Sequence, residues 1–171
     1  MKTSQHPKDQ FKEVGVDIGQ GKYHEEMVYG LALMYTAIYN EIAAYLKEYN
    51  LTPDEMNVLM MVKHQGKEQG LSQVDMGRRL MVTAHNMTRL IQRLEKDAYF
   101  KRSSYQKDAR VNLVKITTKG ANLLDEIWPG YDQKVQELAG KLVQEDQKAI
   151  AGLIQKWLGQ RKLANGGVYD K

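Results

Sequence analysis

Two helix-start signals lie close together in the middle of the chain, and they constrain its fold more than any other feature. The first is the capping sequence Ser72-Gln73-Val74-Asp75, and its helix should end around Leu80. The second is Thr83, which can cap a helix whose apolar residues recur every three or four positions. Those apolar residues are Met87, Leu90, Ile91 and Leu94. Two short helices joined by a turn of a few residues form a helix-turn-helix.

Helices are also predicted before this motif. Apolar residues recur at helical spacing from Tyr23 to Tyr49, which predicts an amphipathic helix too long for one small core to cover. The sequence Thr52-Pro53-Asp54-Glu55 combines an N-cap threonine, a proline at the first helical position and a capping-box glutamate. It therefore begins a second helix, which should end near Gly66.

The pattern changes after the helix-turn-helix. Phe100–Tyr105 and Val111–Ile116 are short segments joined by a polar connection, which predicts a β-hairpin. Thr117 should cap a long helix that Pro129-Gly130 kinks or interrupts. A last helix should begin around Glu145-Asp146.

Positive charge is concentrated around the helix-turn-helix and the hairpin. Residues 77–119 contain 11 basic and three acidic residues, a net charge of +8. The rest of the chain contains 14 basic and 18 acidic residues, a net charge of −4. Such a block suits a partner with a phosphate backbone, although charge alone fits a solvated basic face equally well.

Composition excludes several classes of function. The chain has no cysteine, so disulfides, thiolate metal sites and cysteine-based oxidant sensing are excluded. There is no apolar run of about 18 residues and no signal-peptide pattern, which predicts a cytoplasmic protein without a membrane partner. The four histidines are scattered, and no nucleophile–base pair or phosphate loop occurs. We therefore expect no enzyme, no metal site and no cofactor.

The stretch from Leu71 to Gly120 resembles the core of the MarR family of bacterial transcription regulators. Lys107-Asp108-Ala109-Arg110 is similar to the family's D-x-R wing motif, and Ile116-Thr117-Thr118-Lys119-Gly120 is similar to its L-T-x-x-G helix start. The resemblance implies a mainly α fold with a small β wing, in which long N- and C-terminal dimerisation helices flank a winged helix-turn-helix. Met81 and Ala98 stand where the family usually has glycine, and a left-handed backbone at either position would cost about 1 kcal/mol.

The resemblance also identifies candidate DNA-binding residues. Because the apolar residues of the third short helix point inward, its polar residues face outward, where a recognition helix meets base edges. Asparagine can read adenine and arginine can read guanine, whereas Thr83, Thr88 and Arg93 are better suited to phosphate. The recognition-helix candidates are Thr83, Ala84, His85, Asn86, Thr88, Arg89, Gln92 and Arg93.

The wing supplies a second set of candidates. Arg110 is expected to reach the minor groove, and Asp108 to orient it or a neighbouring basic residue. Arg102 and Lys107 would supply charge near the DNA backbone.

The long helices resemble the family's dimerisation module. The candidate dimer residues are Met27, Leu31, Met34, Ile38, Leu153 and Trp157. The expected organisation is a flexible N-terminal arm (1–22), an N-terminal dimerisation helix (23–50), the winged helix-turn-helix (51–117), C-terminal dimerisation helices (118–163) and a frayed tail (164–171).

The sequence therefore predicts a homodimeric, sequence-specific regulator that binds double-stranded DNA, acting as a repressor on a pseudo-palindromic operator. Release by a small-molecule effector is an expectation from the resemblance, and no residues are assigned to it, because a Met/Tyr stripe at helical spacing is more often packing. Two alternatives stay open at this stage. One is a winged-helix protein-interaction module without specific DNA binding, and the other is a small-molecule carrier with incidental basic charge.

Overall fold

The chain folds into six main helices and a small antiparallel sheet among the residues that the structure describes. The computed structural model describes residues 11–66, 69–80, 82–105 and 108–164, with backbone alone at 104, 105, 108–112 and 161–164. The elements are α1 (Tyr23–Leu46), a 3₁₀ turn (Lys47–Tyr49), α2 (Pro53–Gln65), β1 (Leu71–Ser72), α3 (Gln73–Leu80), α4 (Ala84–Lys96), β2 (Phe100–Tyr105), β3 (Asp108–Ile116), α5 (Thr118–Ala139) and α6 (Gln144–Ala164). This order confirms the mainly α winged helix-turn-helix fold.

Three threonines begin helices where the sequence predicts them. Thr52 closes the capping box of α2, since Glu55 N donates to Thr52 Oγ1 at 3.2 Å and Thr52 N donates to Glu55 Oε2 at 2.8 Å. Thr83 and Thr117 accept hydrogen bonds from the third residue of α4 and α5, respectively. These caps satisfy N–H groups that a helix start otherwise leaves unpaired.

The hairpin is longer than expected on its second arm. β2 has the predicted bounds, but β3 begins at Asp108 rather than Val111 because the strand pairing continues toward the turn, through an irregularity in the register. The sheet order is β1-β3-β2, and the two-residue β1 pairs with β3 through Leu71 and Val114. No local pattern predicts β1, because its extended backbone depends on a partner distant in sequence.

The core lies where α2, α3, α4 and the sheet meet the ends of α1 and α5. Of the inward residues that the periodicity of α4 predicts, Met87, Ile91 and Leu94 are fully buried and Leu90 is half-buried. Met76 of α3 is also fully buried. Burying side chains of this size stabilises the fold by roughly 1.5–3 kcal/mol each. This packing fixes the orientation of α4 relative to the rest of the domain.

Of the kink or interruption predicted at Pro129-Gly130, the interruption is wrong, because α5 continues through both residues; the kink stays a prediction. Pro129 lacks an N–H for the carbonyl of Asp125, but Pro129 and Asp125 are both exposed, so water can solvate that carbonyl. A Cβ at Gly130 would collide with the hydroxyl of Tyr45, so a larger residue there would have to displace that side chain. That hydroxyl donates to Ile127 O at 2.8 Å, and burial raises the pKa of Tyr45 to about 12.

The described part of the N-terminal arm lies against α1. Val16 is buried, the Phe11 ring lies close to Gly30, and Gly19 N donates to Glu26 Oε1 at 2.9 Å. Residues 1–10, Met81 and the tail from 165 onward lie outside the described residues. In the described ranges, no helix is both long enough and apolar enough to cross a membrane.

Candidate nucleic-acid interface

The outer face of α4 is polar and exposed along most of its length. Ala84, His85, Asn86, Arg89 and Gln92 are all exposed, on the side opposite the buried apolar residues. Nothing in the part of the chain that the structure describes pairs with the Arg89 guanidinium. This face therefore presents hydrogen-bonding groups to solvent from the N-terminal half of the helix.

Two of the predicted phosphate contacts are also used to build the motif. Thr83 caps α4 by accepting from Asn86 N at 3.4 Å. Thr88 Oγ1 donates to Ala84 O at 2.8 Å and accepts from Gln73 Nε2, so its hydroxyl links α3 to α4. Thr88 is half-buried as a result.

Arg93, the third predicted phosphate contact, is held by groups outside α4. Its Nε lies 3.0 Å from Glu55 Oε1, and its Nη2 donates to the Asn50 carbonyl oxygen at 3.1 Å. Sequence reasoning missed Glu55 and Asn50 as parts of this region. The capping box uses one oxygen of Glu55, and the periodicity gave no sign that the other would meet a residue of α4.

An open groove of about 1000 Å³ runs between the start of α2 and the outer side of α4. Asn50 and Glu55 line one wall, and Thr83, Arg89 and Arg93 line the other. Most of the residues that line the groove are polar or charged, and Val82 and Leu90 add apolar surface. It extends the exposed polar surface of α4 toward the 3₁₀ turn.

The base of the wing is hydrogen-bonded to the residues that follow α4. Thr117 N donates to Tyr99 O at 3.0 Å, and Lys119 Nζ donates to Asp97 O at 2.8 Å while lying 4.9 Å from the centre of the Tyr99 ring. A Cβ at Gly120 would lie 2.5 Å from Tyr99 O, so only glycine fits there. This contact gives a physical reason for the glycine of the L-T-x-x-G pattern.

The described wing residue among the predicted contacts is Arg102. Its Nε lies 2.8 Å from Glu95 Oε2, which joins β2 to α4. Lys107 lies outside the described residues, and so do the side chains of Asp108 and Arg110, whose backbone belongs to β3. The structure thus places Arg110 on the strand next to the hairpin turn.

At the end of α4, Ala98 adopts the left-handed backbone that the sequence raised as a possibility. Ala98 has φ of 61°, Ala98 N donates to Glu95 O at 2.9 Å, and Tyr99 N donates to Leu94 O at 2.8 Å. These two bonds form a Schellman motif, with alanine at the position that glycine usually occupies.

The groove and the helix offer no metal centre. Within the ranges described, no group of three or more His, Asp or Glu side chains is arranged to hold a metal ion. The site consists of hydrogen-bonding and cationic side chains on a rigid helix, flanked by a β-hairpin. Such an arrangement suits recognition of a polyanion with readable edges.

Comparisons with known proteins agree with this reading. The family model "Transcriptional regulator SarA/Rot" matches residues 40–127, which is more than half of the chain. The HTH-type transcriptional regulator MhqR of Bacillus subtilis is 25% identical over 126 residues, covering 74% of this chain and 85% of MhqR. SarZ of Staphylococcus saprophyticus is 29% identical over 107 residues, covering 58% of this chain and 71% of SarZ.

Solved structures show the same fold. The S. aureus MepR–DNA complex superposes with a TM-score of 0.71 at 20% identity, covering 78% of this chain and 96% of MepR. A point mutant of E. coli MarR complexed with operator DNA superposes with a TM-score of 0.70 at 23% identity, covering 86% of this chain and 97% of MarR. The family match and the fold confirm the resemblance found in the sequence: the chain belongs to the SarA/Rot family of transcriptional regulators, with a MarR-type winged helix-turn-helix.

Proposed function

We propose that this chain is a homodimeric repressor that binds a pseudo-palindromic double-stranded DNA operator. The observation that carries the proposal is the exposed polar face of α4, which projects Asn86, Arg89 and Gln92 away from a rigid core. In solved structures of similar fold, MepR and MarR were crystallised with DNA. This face is small and its side chains are polar. It favours DNA over a protein partner, because a protein-binding surface would be expected to expose apolar residues there.

The DNA contacts divide into reading and positioning roles. Asn86 and Arg89 are proposed to read base edges in the major groove, because both are exposed on the N-terminal half of α4. His85 and Gln92 flank them on the same face, and Thr83 lies at the helix start, where an exposed hydroxyl suits phosphate. Release of the operator by a small-molecule effector stays a prediction of the resemblance, without assigned residues.

The dimer is proposed from two apolar helix faces that a single chain leaves exposed. On α6, Leu153 and Trp157 are 66% and 53% exposed. On α1, Met27, Leu31 and Ile38 are also exposed. Apolar surface of this extent on long helices favours burial against a second copy. A two-fold dimer would set two copies of α4 roughly 34 Å apart, one helical turn of DNA.

The proposal is tested by selecting binding sites from random duplex DNA with the purified protein. The expected result is an enriched inverted repeat whose half-sites lie about one helical turn apart. Weak binding without enrichment, as from a protein-interaction module, would contradict the proposal.

The selected site then tests the wing. Arg110→Ala should weaken binding to that site by roughly 1–3 kcal/mol while leaving the unfolding transition unchanged. Lys141→Ala is the matched control, since it removes the same charge from an exposed residue between α5 and α6. Equal binding by the two variants would show that Arg110 does not contact the operator.

A further inference from the structure

The Arg93 guanidinium bridges three segments of the chain, although it lies on the outer side of α4. Its Nε is 3.0 Å from Glu55 Oε1 in α2, and its Nη2 donates to the carbonyl oxygen and to Oδ1 of Asn50, at 3.1 and 3.3 Å. Asn50 directly follows the 3₁₀ turn at the end of α1. One side chain therefore joins α4 to the start of α2 and the end of α1.

The Glu55 carboxylate, which pairs with Arg93, is buried, and both of its oxygens have partners. The Glu55 side chain is 3% exposed, whereas the Arg93 side chain is 46% exposed. Oε2 of Glu55 accepts from Thr52 N at 2.8 Å and from Thr52 Oγ1 at 3.0 Å, which leaves Oε1 for Arg93. A buried carboxylate without a cationic partner is costly, so this pair resists separation. Moving Arg93 to a phosphate would leave Glu55 unpaired.

The backbone on the α1 side is also fixed. Asn50 has φ of 55° and ψ of 36°, and Asn50 N donates to Lys47 O at 3.1 Å. Asparagine adopts this left-handed conformation more readily than most residues. The two Asn50 acceptors therefore face Arg93 from a turn with a defined geometry.

We propose that Arg93 is a positioning residue, which sets the placement of α4 relative to α1 and so the spacing of the two recognition helices in a dimer. It does this through Glu55 and Asn50 rather than by contacting a phosphate, the role that the sequence suggested for it. The inference rests on the proposed function, because spacing matters only if two copies of α4 read one operator.

The two roles predict opposite effects for Glu55→Gln. If Arg93 positions α4, the neutral amide weakens the link, and affinity for the selected operator should fall by about tenfold, within the usual range for coupled sites. If Arg93 contacts phosphate, the change frees it from a competing carboxylate, so affinity should stay equal or rise. Glutamine has nearly the same shape, and its carbonyl oxygen can still close the capping box.

Asp54→Asn is the matched control. Asp54 is the exposed neighbour of Glu55 and also lines the groove, so this variant removes the same negative charge from the same region without touching Arg93. Both variants are titrated with the operator, with operators whose half-site separation is changed by one or two base pairs, and with random-sequence duplex. The positioning role predicts that Glu55→Gln alone loses preference for the native spacing, while binding to random duplex is unchanged.

Salt dependence gives a second measurement, on Arg93→Gln. Each lost phosphate contact lowers the slope of log Kd against log salt by about 1, so a dimer would lose about 2. The positioning role predicts an unchanged slope with a weaker Kd. A reduced slope, or a Glu55→Gln protein that binds as tightly as Asp54→Asn, would overturn the inference.

The outcomes separate this inference from the proposed function. If the wild-type chain selects no operator, the proposed function fails. If it selects one and the Glu55 and Arg93 variants behave as phosphate-contact variants, only the positioning role fails. Should Glu55→Gln lose its folded far-UV signal, the Arg93→Gln salt slope still decides between the two roles.

Discussion

Replacing Ala98 with glycine should stabilise the protein, although it removes a side-chain atom. Ala98 has φ of 61° at the end of α4, in the left-handed region where a Cβ crowds the backbone. The strain of an L-residue in this region is about 1–2 kcal/mol, and glycine adds an entropic cost of roughly 0.5–1 kcal/mol in the unfolded chain. The difference predicts that Ala98→Gly stabilises the fold by about 1 kcal/mol.

The methyl group of Ala98 takes no part in the Schellman motif or in the core. The backbone bonds from Ala98 N and Tyr99 N do not involve the methyl group, so they remain in the variant. Ala98 is also exposed, so its methyl group contributes no core packing. The relieved strain is therefore not offset by lost burial.

The assay is reversible chemical denaturation of the two proteins, followed by far-UV circular dichroism. Ala98→Gly should raise the denaturant midpoint without changing the m-value, and thermal unfolding should shift upward by about 2–4 °C. Ala44→Gly is the matched control, because Ala44 is an exposed residue within α1 and the same change should destabilise by about 1 kcal/mol. If Ala98→Gly destabilises the protein as much as Ala44→Gly does, the left-handed strain at this position is refuted.

Three further predictions concern the wing base, the α1–α5 contact and the dimer. Gly120→Ala should destabilise the fold by about 1–3 kcal/mol, because its Cβ would lie 2.5 Å from Tyr99 O. Gly152→Ala is the control and should be neutral or stabilising, because the space around Gly152 is open. Equal denaturation midpoints for the two variants would contradict the close contact at Gly120. Burial raises the pKa of Tyr45 to about 12, so its neutral hydroxyl stabilises the fold below pH 10 and this contribution is lost as pH rises toward 12. Tyr45→Phe should therefore cost about 1 kcal/mol at pH 7 and flatten the alkaline loss of stability, and an unchanged pH profile would argue against the contact. Trp157→Ser should shift the protein toward monomer in sedimentation at micromolar concentration, and an unchanged sedimentation profile would show that this α6 face does not hold the dimer.

Much of the fold could be predicted because its signals are local. Thr52, Thr83 and Thr117 cap helices through bonds to residues three positions away, and the apolar period of α4 identifies its buried side. That α5 is not interrupted at Pro129 has no local signal, because the sequence shows the missing N–H but not that Pro129 and Asp125 are both exposed.

The exposed face of the candidate site could also be predicted, because its signal is local as well. The outward residues of α4 follow from its period, and the structure shows them exposed; their contact with DNA stays a prediction. Short β1 and the partners of Arg93 have no local signal, since β1 pairs with β3 and Arg93 meets Asn50 across 43 residues of sequence.

The sequence by itself determined the helix starts, the inward face of α4, the concentration of basic residues and the family. Only the tertiary structure decided what each polar side chain does once the helices pack. Arg89 and Arg93 lie one turn apart on the same helix, yet Arg89 faces solvent while Arg93 pairs with the buried Glu55. Periodicity gives the direction in which a side chain points, but the groups that it meets depend on which distant segments the core brings beside it.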